Sequence, residues 1–111
     1  LTKSFLIDHP TKPGYKLQYA SLEGPEHGVY VRGRIEGRNA FELPDYWVDL
    51  VDPSTISVHI TPIGTQQNLY VEDIKNNTVY VAGSIDPYHT KFFYVVYGER
   101  KDVDKLSVEY N

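Results

Sequence analysis

Short runs in which β-branched or aromatic residues alternate with polar residues constrain the fold of this chain more than any other feature. The clearest run is residues 29–36, in which Val29, Val31 and Ile35 occupy alternate positions. Successive strand residues point to opposite faces of a sheet, so this alternation indicates a strand with one buried face. Comparable strands are predicted at residues 4–7, 15–22, 55–63, 68–74, 78–83, 91–98 and 106–110, with a brief extended segment at 40–43.

Two of these segments carry additional signals. The pair Asn76-Asn77 separates two strand runs and predicts a hairpin, because asparagine tolerates the positive φ of a tight turn. Residues 92–97 read Phe-Phe-Tyr-Val-Val-Tyr with almost no polar interruption, which predicts a central strand covered on both faces. In residues 55–63 the alternation directs His59 outward.

The one helical signal lies at residues 44–51. It begins with a proline and directs four apolar side chains toward the core at helical spacing: Leu43, Trp47, Leu50 and Val51. We expect two turns at most, because Asp52-Pro53 follows. Strands separated by turn signals, with one short helix, predict an all-β domain, an antiparallel β-sandwich or barrel-like fold of about seven or eight short strands.

The missing residue types and the acidic charge exclude several kinds of stabilisation and partner. A length of 111 residues suits one β domain that spans residues 1–111. Without cysteine, neither disulfides nor thiolate metal sites can contribute. The net charge of −4 and the scattered basic residues argue against nucleic-acid binding, and no apolar run reaches the roughly 18 residues that span a bilayer. Because residue 1 is not methionine, we expect the chain to be a fragment or processed piece of a longer protein.

Ionisable residues are densest in residues 5–10 and 22–33. A carboxylate beside an imidazole, as in Asp8-His9, can set the tautomer of the imidazole and support acid/base chemistry with a nearby group such as Glu23. We favour a simpler interpretation, in which Asp8 turns the chain and Asp8, His9, Glu23 and Arg32 form a structural charged cluster. If that cluster is buried, Arg32→Ala destabilises the fold. We predict no catalytic residue, no metal site and no cofactor.

Aromatic residues make up 14% of the chain and include ten tyrosines and one tryptophan. Each side chain offers a large apolar body with a polar tip, which suits stacking on a sugar ring or anchoring a protein interface. The alternative is cross-strand and core packing, which a β domain without cysteine needs in any case. The predicted binding residues are Tyr30, Tyr46, Trp47, Tyr70 and Tyr88.

Seven short motifs, taken together and in order, resemble a known module. They are KSFLIDHP at residues 3–10, LEGPE at 22–26, VYVRG at 29–33, ELPDYW at 42–47, TPIG at 61–64, LYV at 69–71 and GERKDV at 98–103. The module is found near the C-terminal ends of long virion structural and tail-fibre-like proteins of tailed bacteriophages, notably contractile-tailed cyanophages. The resemblance covers nearly the whole chain.

The resemblance implies a virion structural module and not an enzyme. The domain would terminate the fibre, form a homo-oligomer, most simply a trimer, and present a surface that attaches to a host receptor or glycan. Two alternatives stay open. One is a carbohydrate-binding receptor tip, which an aromatic groove beside carboxylates or arginines would favour. The other is an intramolecular chaperone or self-cleaving assembly domain, as the endosialidase-type fibre chaperones are.

Overall fold

The structure, a computed structural model, describes residues 3–111 and contains eight strands, all paired antiparallel. The strands are β1 (Ser4–Asp8), β2 (Lys16–Ala20), β3 (Gly28–Glu36), β4 (Ala40–Glu42), β5 (Ser57–Pro62), β6 (Tyr70–Lys75), β7 (Thr78–Ala82) and β8 (Lys91–Glu99). One helical turn, α1 (Trp47–Leu50), and two 3₁₀ turns, Pro53–Thr55 and Pro87–His89, complete the fold. None of these helices has the length and apolar character that crossing a bilayer requires.

The strands form a hairpin and two three-stranded sheets. The hairpin is β1-β2, one sheet has the order β3-β8-β5 and the other has the order β4-β7-β6. The two sheets share one core, in which the ring of Phe41 on β4 stacks on Tyr94 of β8 with centroids 4.1 Å apart. Phe92 and Val96 of β8 are fully buried in the same core. The predicted all-β domain of about eight short strands with one short helix is therefore confirmed, in its sandwich form.

The alternation along β3 and β5 is as predicted, whereas one prediction for β8 is wrong. Val29 and Ile35 of β3 are buried, and His59 of β5 faces outward. Strand β8 is central, since it lies between β3 and β5, but it is not covered on both faces. Phe93 and Tyr97 are 51% and 41% exposed. An antiparallel sheet commonly packs one face on the core and leaves the other in solvent, and an apolar run alone cannot distinguish the two cases.

The helix is shorter than the two turns that the sequence allows, but its buried face is the predicted one. Leu43, Trp47, Leu50 and Val51 are all buried, with exposures of 4% or less. The helix ends at Leu50, and the next residue, Val51, has an extended backbone and forms a bridge with Arg100 after the end of β8. The single turn therefore closes one end of the core.

The hairpin between β6 and β7 turns at Asn76 and Asn77, as predicted. Their φ angles are 51° and 56°, and Lys75 pairs directly with Thr78 across the two-residue turn. The amide of Asn77 also donates to the backbone carbonyl oxygens of Leu43, at 3.1 Å, and of Pro44, at 2.8 Å. These bonds join the hairpin to the segment that enters α1.

Asn76 lies in the same turn with a similar φ but does not make these two bonds, so the two asparagines give a matched test. Glycine retains the positive φ at little cost, so Asn77→Gly removes the side-chain bonds while preserving the turn. We expect Asn77→Gly to lower the free energy of unfolding by about 1–3 kcal/mol, because two backbone carbonyls lose their donor. Asn76→Gly carries the same entropic change without these bonds and should cost less than about 1 kcal/mol. Urea unfolding of both variants measures the difference, and equal midpoints would contradict the proposed role of the Asn77 amide.

The prediction of a last strand at residues 106–110 is wrong for the isolated chain. Residues 101–111 are all exposed and form no ladder. Leu106, Val108 and Tyr110 are 39%, 59% and 82% exposed, although they alternate with polar residues. The radius of gyration, 16.1 Å, exceeds the about 13 Å expected for a compact domain of this size. The local pattern of a strand is present, but no strand within residues 3–111 pairs with it.

Candidate functional site

Of the five predicted binding aromatics, Trp47 lies in the interior and is wrong as a binding residue, whereas Tyr46 is half-buried. Trp47 is 1% exposed, and its indole N–H donates to the hydroxyl of Tyr19 at 3.3 Å. The hydroxyl of Tyr46 lies 2.5 Å from the same Tyr19 hydroxyl. Burial and this hydrogen bond raise the pKa of Tyr46 above its usual value. Both residues therefore join the β1-β2 hairpin to the core through Tyr19.

The other three predicted aromatics, Tyr30, Tyr70 and Tyr88, are 43%, 57% and 94% exposed. They lie on β3, on β6 and in the 3₁₀ turn after Asp86, and within residues 3–111 no two of their rings contact each other. The predicted set is therefore not one platform. Tyr30 does contact another aromatic ring, that of Tyr97 on β8, with centroids 6.3 Å apart.

The predicted charged cluster of Asp8, His9, Glu23 and Arg32 does not form. Asp8 pairs with Lys16, directly opposite it in the hairpin, and this ammonium lowers the pKa of Asp8. Glu23 pairs with Lys3 at 2.7 Å. Arg32 points outward from β3 and, within the described chain, has no carboxylate within 4 Å. Exposed pairs of this kind contribute little to stability, so the condition for a destabilising Arg32→Ala is not met.

His9, and not Asp8, shapes the turn between β1 and β2. Its Nδ1 accepts from the backbone N–H groups of Thr11, at 3.1 Å, and Lys12, at 2.9 Å. An accepting Nδ1 carries no proton, which places the ring proton of the neutral imidazole on Nε2. The ring also packs edge-on against Tyr46, with centroids 5.2 Å apart. His9 thus has a structural explanation that needs no acid/base chemistry.

The residues that do converge form a cleft at one end of the β3-β8-β5 sheet. The cleft has a volume of about 360 Å³ and is lined by residues 22–26, Gly28, Thr55, Ser57 and Tyr97. We call it the Tyr97 cleft. Residues 22–26 connect the β1-β2 hairpin to β3, so the cleft lies between this loop and the outer face of the sheet. A volume of this size is at the lower end of the range for small-molecule sites.

The aromatic side of the cleft is built by strand register. Tyr97 pairs with Tyr30 on β3 and with Ser57 on β5, so these three side chains lie in one row on the outer face. The imidazole of His59 packs edge-on against the Tyr97 ring, with centroids 5.8 Å apart. Tyr97 thereby lies between two rings, and the residue as a whole is 41% exposed. A second aromatic, Phe93, lies four residues along the same face of β8.

The polar side of the cleft comes from the connecting loop and from β5. Glu23 and Glu26 contribute carboxylates, and Ser57 contributes a hydroxyl. A methyl group added at Gly28 would lie 3.2 Å from the Oε2 atom of Glu26, so the missing side chain leaves room for this carboxylate. Carboxylates accept hydrogen bonds only, whereas a hydroxyl can donate and accept. The arrangement can therefore bind a ligand that has an apolar face and several hydroxyl groups.

A larger apolar groove lies between α1 and the β6-β7 turn. It has a volume of about 420 Å³, and its walls include Trp47, Val48, Val51, Ile56 and Ile74. Its clearest polar group, the Asn77 amide, is already bound to two backbone carbonyls. The remaining polar residues of its lining, Lys75 and Asn76, both lie at the β6-β7 turn, so polar groups do not converge on the groove from several elements. The Tyr97 cleft, whose polar groups come from a loop and from β5, is the better candidate site.

Sequence reasoning missed Tyr97 as a site residue because it treated residues 92–97 as buried on both faces. Tyr97 can be identified by asking which residues of neighbouring strands point to the same face of the sheet. Phe93 and Tyr97 fall on the same face as Arg32 and Arg34 once β8 is paired with β3. A face that carries two arginines is a solvent face, and aromatics that share it are exposed.

Neither a metal site nor a similarity to known proteins assigns a function to this chain. Within residues 3–111, no three His, Asp or Glu side chains are grouped closely enough to hold a metal ion. Comparisons with protein-family models, with curated proteins and with solved structures gave no match. The Tyr97 cleft and the motif resemblance are therefore the two features that indicate a function.

Proposed function

We propose that this domain is a non-catalytic attachment module of a tail-fibre-like virion protein, and that it binds a sugar of the host surface in the Tyr97 cleft. The observation that carries the proposal is an exposed tyrosine ring, supported by Tyr30 and His59, which lines a cleft together with two carboxylates. An aromatic groove beside carboxylates is the feature that favours a carbohydrate site over a purely structural end of a fibre. The motif resemblance supports the virion location.

The chemistry of a sugar ring matches the two sides of the cleft. One face of a pyranose consists of C–H groups, which pack on an aromatic ring, and its edge carries hydroxyl groups. Glu23 and Glu26 can accept hydrogen bonds from two such hydroxyls, and Ser57 can donate to or accept from a third. A cleft of about 360 Å³ suits one sugar ring or a short piece of a longer glycan.

A single small and open site of this kind binds weakly. Attachment then depends on several sites acting together, because linking binding modules raises avidity without new contacts. A homo-oligomer that displays several copies of the Tyr97 cleft on one particle would meet this requirement.

Tyr97→Ala gives the direct test. The domain is screened on a glycan array, and each hit is titrated by NMR as the free mono- or disaccharide. We expect shifts in the resonances of residues 22–26 and Tyr97, and we expect Tyr97→Ala to weaken binding about tenfold or more because the stacking face is lost. Glu26→Gln keeps the shape of the side chain and tests the carboxylate as an acceptor of sugar hydroxyls.

Tyr88→Ala is the matched control. Tyr88 is 94% exposed and lies outside the cleft, so its removal should leave sugar affinity unchanged. The proposal fails if no saccharide binds, or if Tyr97→Ala binds as tightly as the parent chain while circular dichroism shows both to be folded.

A further inference from the structure

We infer that residues 105–110 of one copy of this chain add as an antiparallel strand to the open edge of β3 in a second copy. Strand β3 has nine residues and, in the described part of the chain, pairs only with β8 on one side. Its other edge presents unpaired backbone N–H and C=O groups, which form a template for another strand. The inference does not depend on sugar binding, since the outer face of the sheet stays open.

The edge of β3 differs from the other sheet edges. Strand β4 has three residues, β6 carries a bulge between Val71 and Asp73, and β5 ends in Pro62. Short length, bulges and proline are the devices that discourage edge pairing. The hairpin strands β1 and β2 also have open edges, but they have five residues each. Strand β3, with nine residues, is the longest open edge that none of these devices interrupts.

The segment at residues 105–110 has the pattern of a strand but pairs with no strand within residues 3–111, and Lys105 contacts its own chain through an ion pair with Glu99 at 3.2 Å. Leu106, Val108 and Tyr110 are exposed on alternate positions, between Lys105, Ser107 and Glu109. Exposed apolar side chains at a spacing of two suit a strand whose one face is buried. Addition to a sheet edge would bury that face and pair the backbone.

Charge selects one register for this addition. If Glu109 lies opposite Arg32, then Lys105 lies opposite Glu36, and both pairs have opposite charges. An antiparallel shift of two residues in either direction places Lys105 opposite Arg34 or Arg38. A shift of one residue would turn the apolar side chains to the solvent face.

The same register places the apolar side chains over an opening between the two sheets. Leu106 falls opposite Ile35 and Tyr110 opposite Val31, both on the inner face of β3. A cleft of about 450 Å³ lies along this side of the sandwich, and Ile35, Phe41 and Tyr94 form its apolar part beside the polar Arg38, Glu42 and Thr78. The added strand would cover this cleft with Leu106 and extend the core.

The segment that fills this register must come from a second copy. In its own chain, the N–H of Arg100 donates to the carbonyl oxygen of His27, just before the start of β3. Lys105 opposite Glu36 would lie nine residues along the strand, a distance of about 31 Å. The five residues from Arg100 to Lys105 span at most about 18 Å. This antiparallel register is therefore out of reach within one chain.

Charge reversal tests the register. The molar mass of the parent chain is measured by light scattering over a concentration series, and we expect an oligomer that dissociates on dilution. Reciprocal exchange closes as a dimer, and head-to-tail exchange closes as a ring such as a trimer. Arg32→Glu and Glu109→Arg should each weaken association about tenfold or more, and the double variant should restore it to within about threefold.

Glu72→Arg is the control for net charge, because Glu72 is exposed on the bulged strand β6 and should leave association unchanged. All of these positions are exposed, so circular dichroism should show folded variants. A parent chain that stays monomeric up to about 1 mM, or single variants that associate like the parent, would overturn the inference, as would a double variant that fails to recover.

Because the chain contains no cysteine, disulfide cross-linking of introduced cysteines gives a second test of the register. Arg32→Cys combined with Glu109→Cys should form disulfides between copies under mild oxidation, since the two residues face each other in the proposed register. Arg38→Cys combined with Glu109→Cys places the thiols about six residues out of register and should give no covalent oligomer. Equal cross-linking of the two pairs would show that the strand does not hold this register.

Discussion

Trp47→Ala is expected to lower the free energy of unfolding by about 3–5 kcal/mol, the range for removing a large aromatic side chain from a packed core. Trp47 is 1% exposed and packs with Leu50 and Val51 in the buried core. The substitution also removes the indole N–H that donates to the Tyr19 hydroxyl. Domains of this size are stable by about 5–15 kcal/mol, so the loss is a large share of the total.

Tyr88→Ala should change the same free energy by less than about 0.5 kcal/mol, because Tyr88 is almost fully exposed. Urea unfolding of both variants gives the comparison. It is monitored by far-ultraviolet circular dichroism, which does not require the tryptophan that one variant lacks. If Trp47→Ala unfolds like the parent chain, then Trp47 does not hold the core together, and its exclusion from the binding residues must be withdrawn.

Local patterns predicted most of the strands because each depends on nearby residues. The alternation in residues 29–36 marks β3, and Asn76-Asn77 marks the turn between β6 and β7. The helical spacing of Leu43 and Trp47 identified the buried side of α1. That spacing already directed Trp47 inward, so its selection as a binding residue followed its residue type and disregarded its position.

The wrong predictions concern contacts between segments that are distant in the sequence. Whether residues 92–97 are covered on one face or two depends on which element packs over the sheet, and no local pattern records that. The same limit applies to Asp8 and Glu23, which were expected to meet and instead pair with Lys16 and Lys3. A strand pattern at residues 106–110 predicts extended backbone but does not say which chain supplies the neighbouring strand.

The Tyr97 cleft and the open edge of β3 lie on the same sheet but use different groups. Sugar binding would use the outer face of β8 and the loop at residues 22–26, whereas strand exchange would use the backbone edge and inner face of β3. Exchange would leave the Tyr97 ring free and would bring several clefts into one assembly. Weak single sites would then act together, which is the arrangement that attachment to a surface requires.

Gly83→Ala is expected to lower the free energy of unfolding by about 2–5 kcal/mol, because two costs combine at this position. Gly83 follows β7 with φ of +97°, a conformation that is strained for any residue with a side chain. An added Cβ would also lie 1.9 Å from the backbone carbonyl oxygen of Asn68. That oxygen belongs to the chain entering β6, so relief requires moving backbone next to the core.

Gly14→Ala separates the two costs. Gly14 has a similar φ, +80°, but an added Cβ would meet nothing within 4 Å, so only the backbone strain applies. We expect it to cost about 1–2 kcal/mol, clearly less than Gly83→Ala. Urea unfolding of the two variants isolates the contact with Asn68 as the difference between them. Equal losses would mean that the segment before β6 yields to the new methyl group, and that the close approach of Gly83 to Asn68 is not required by the fold.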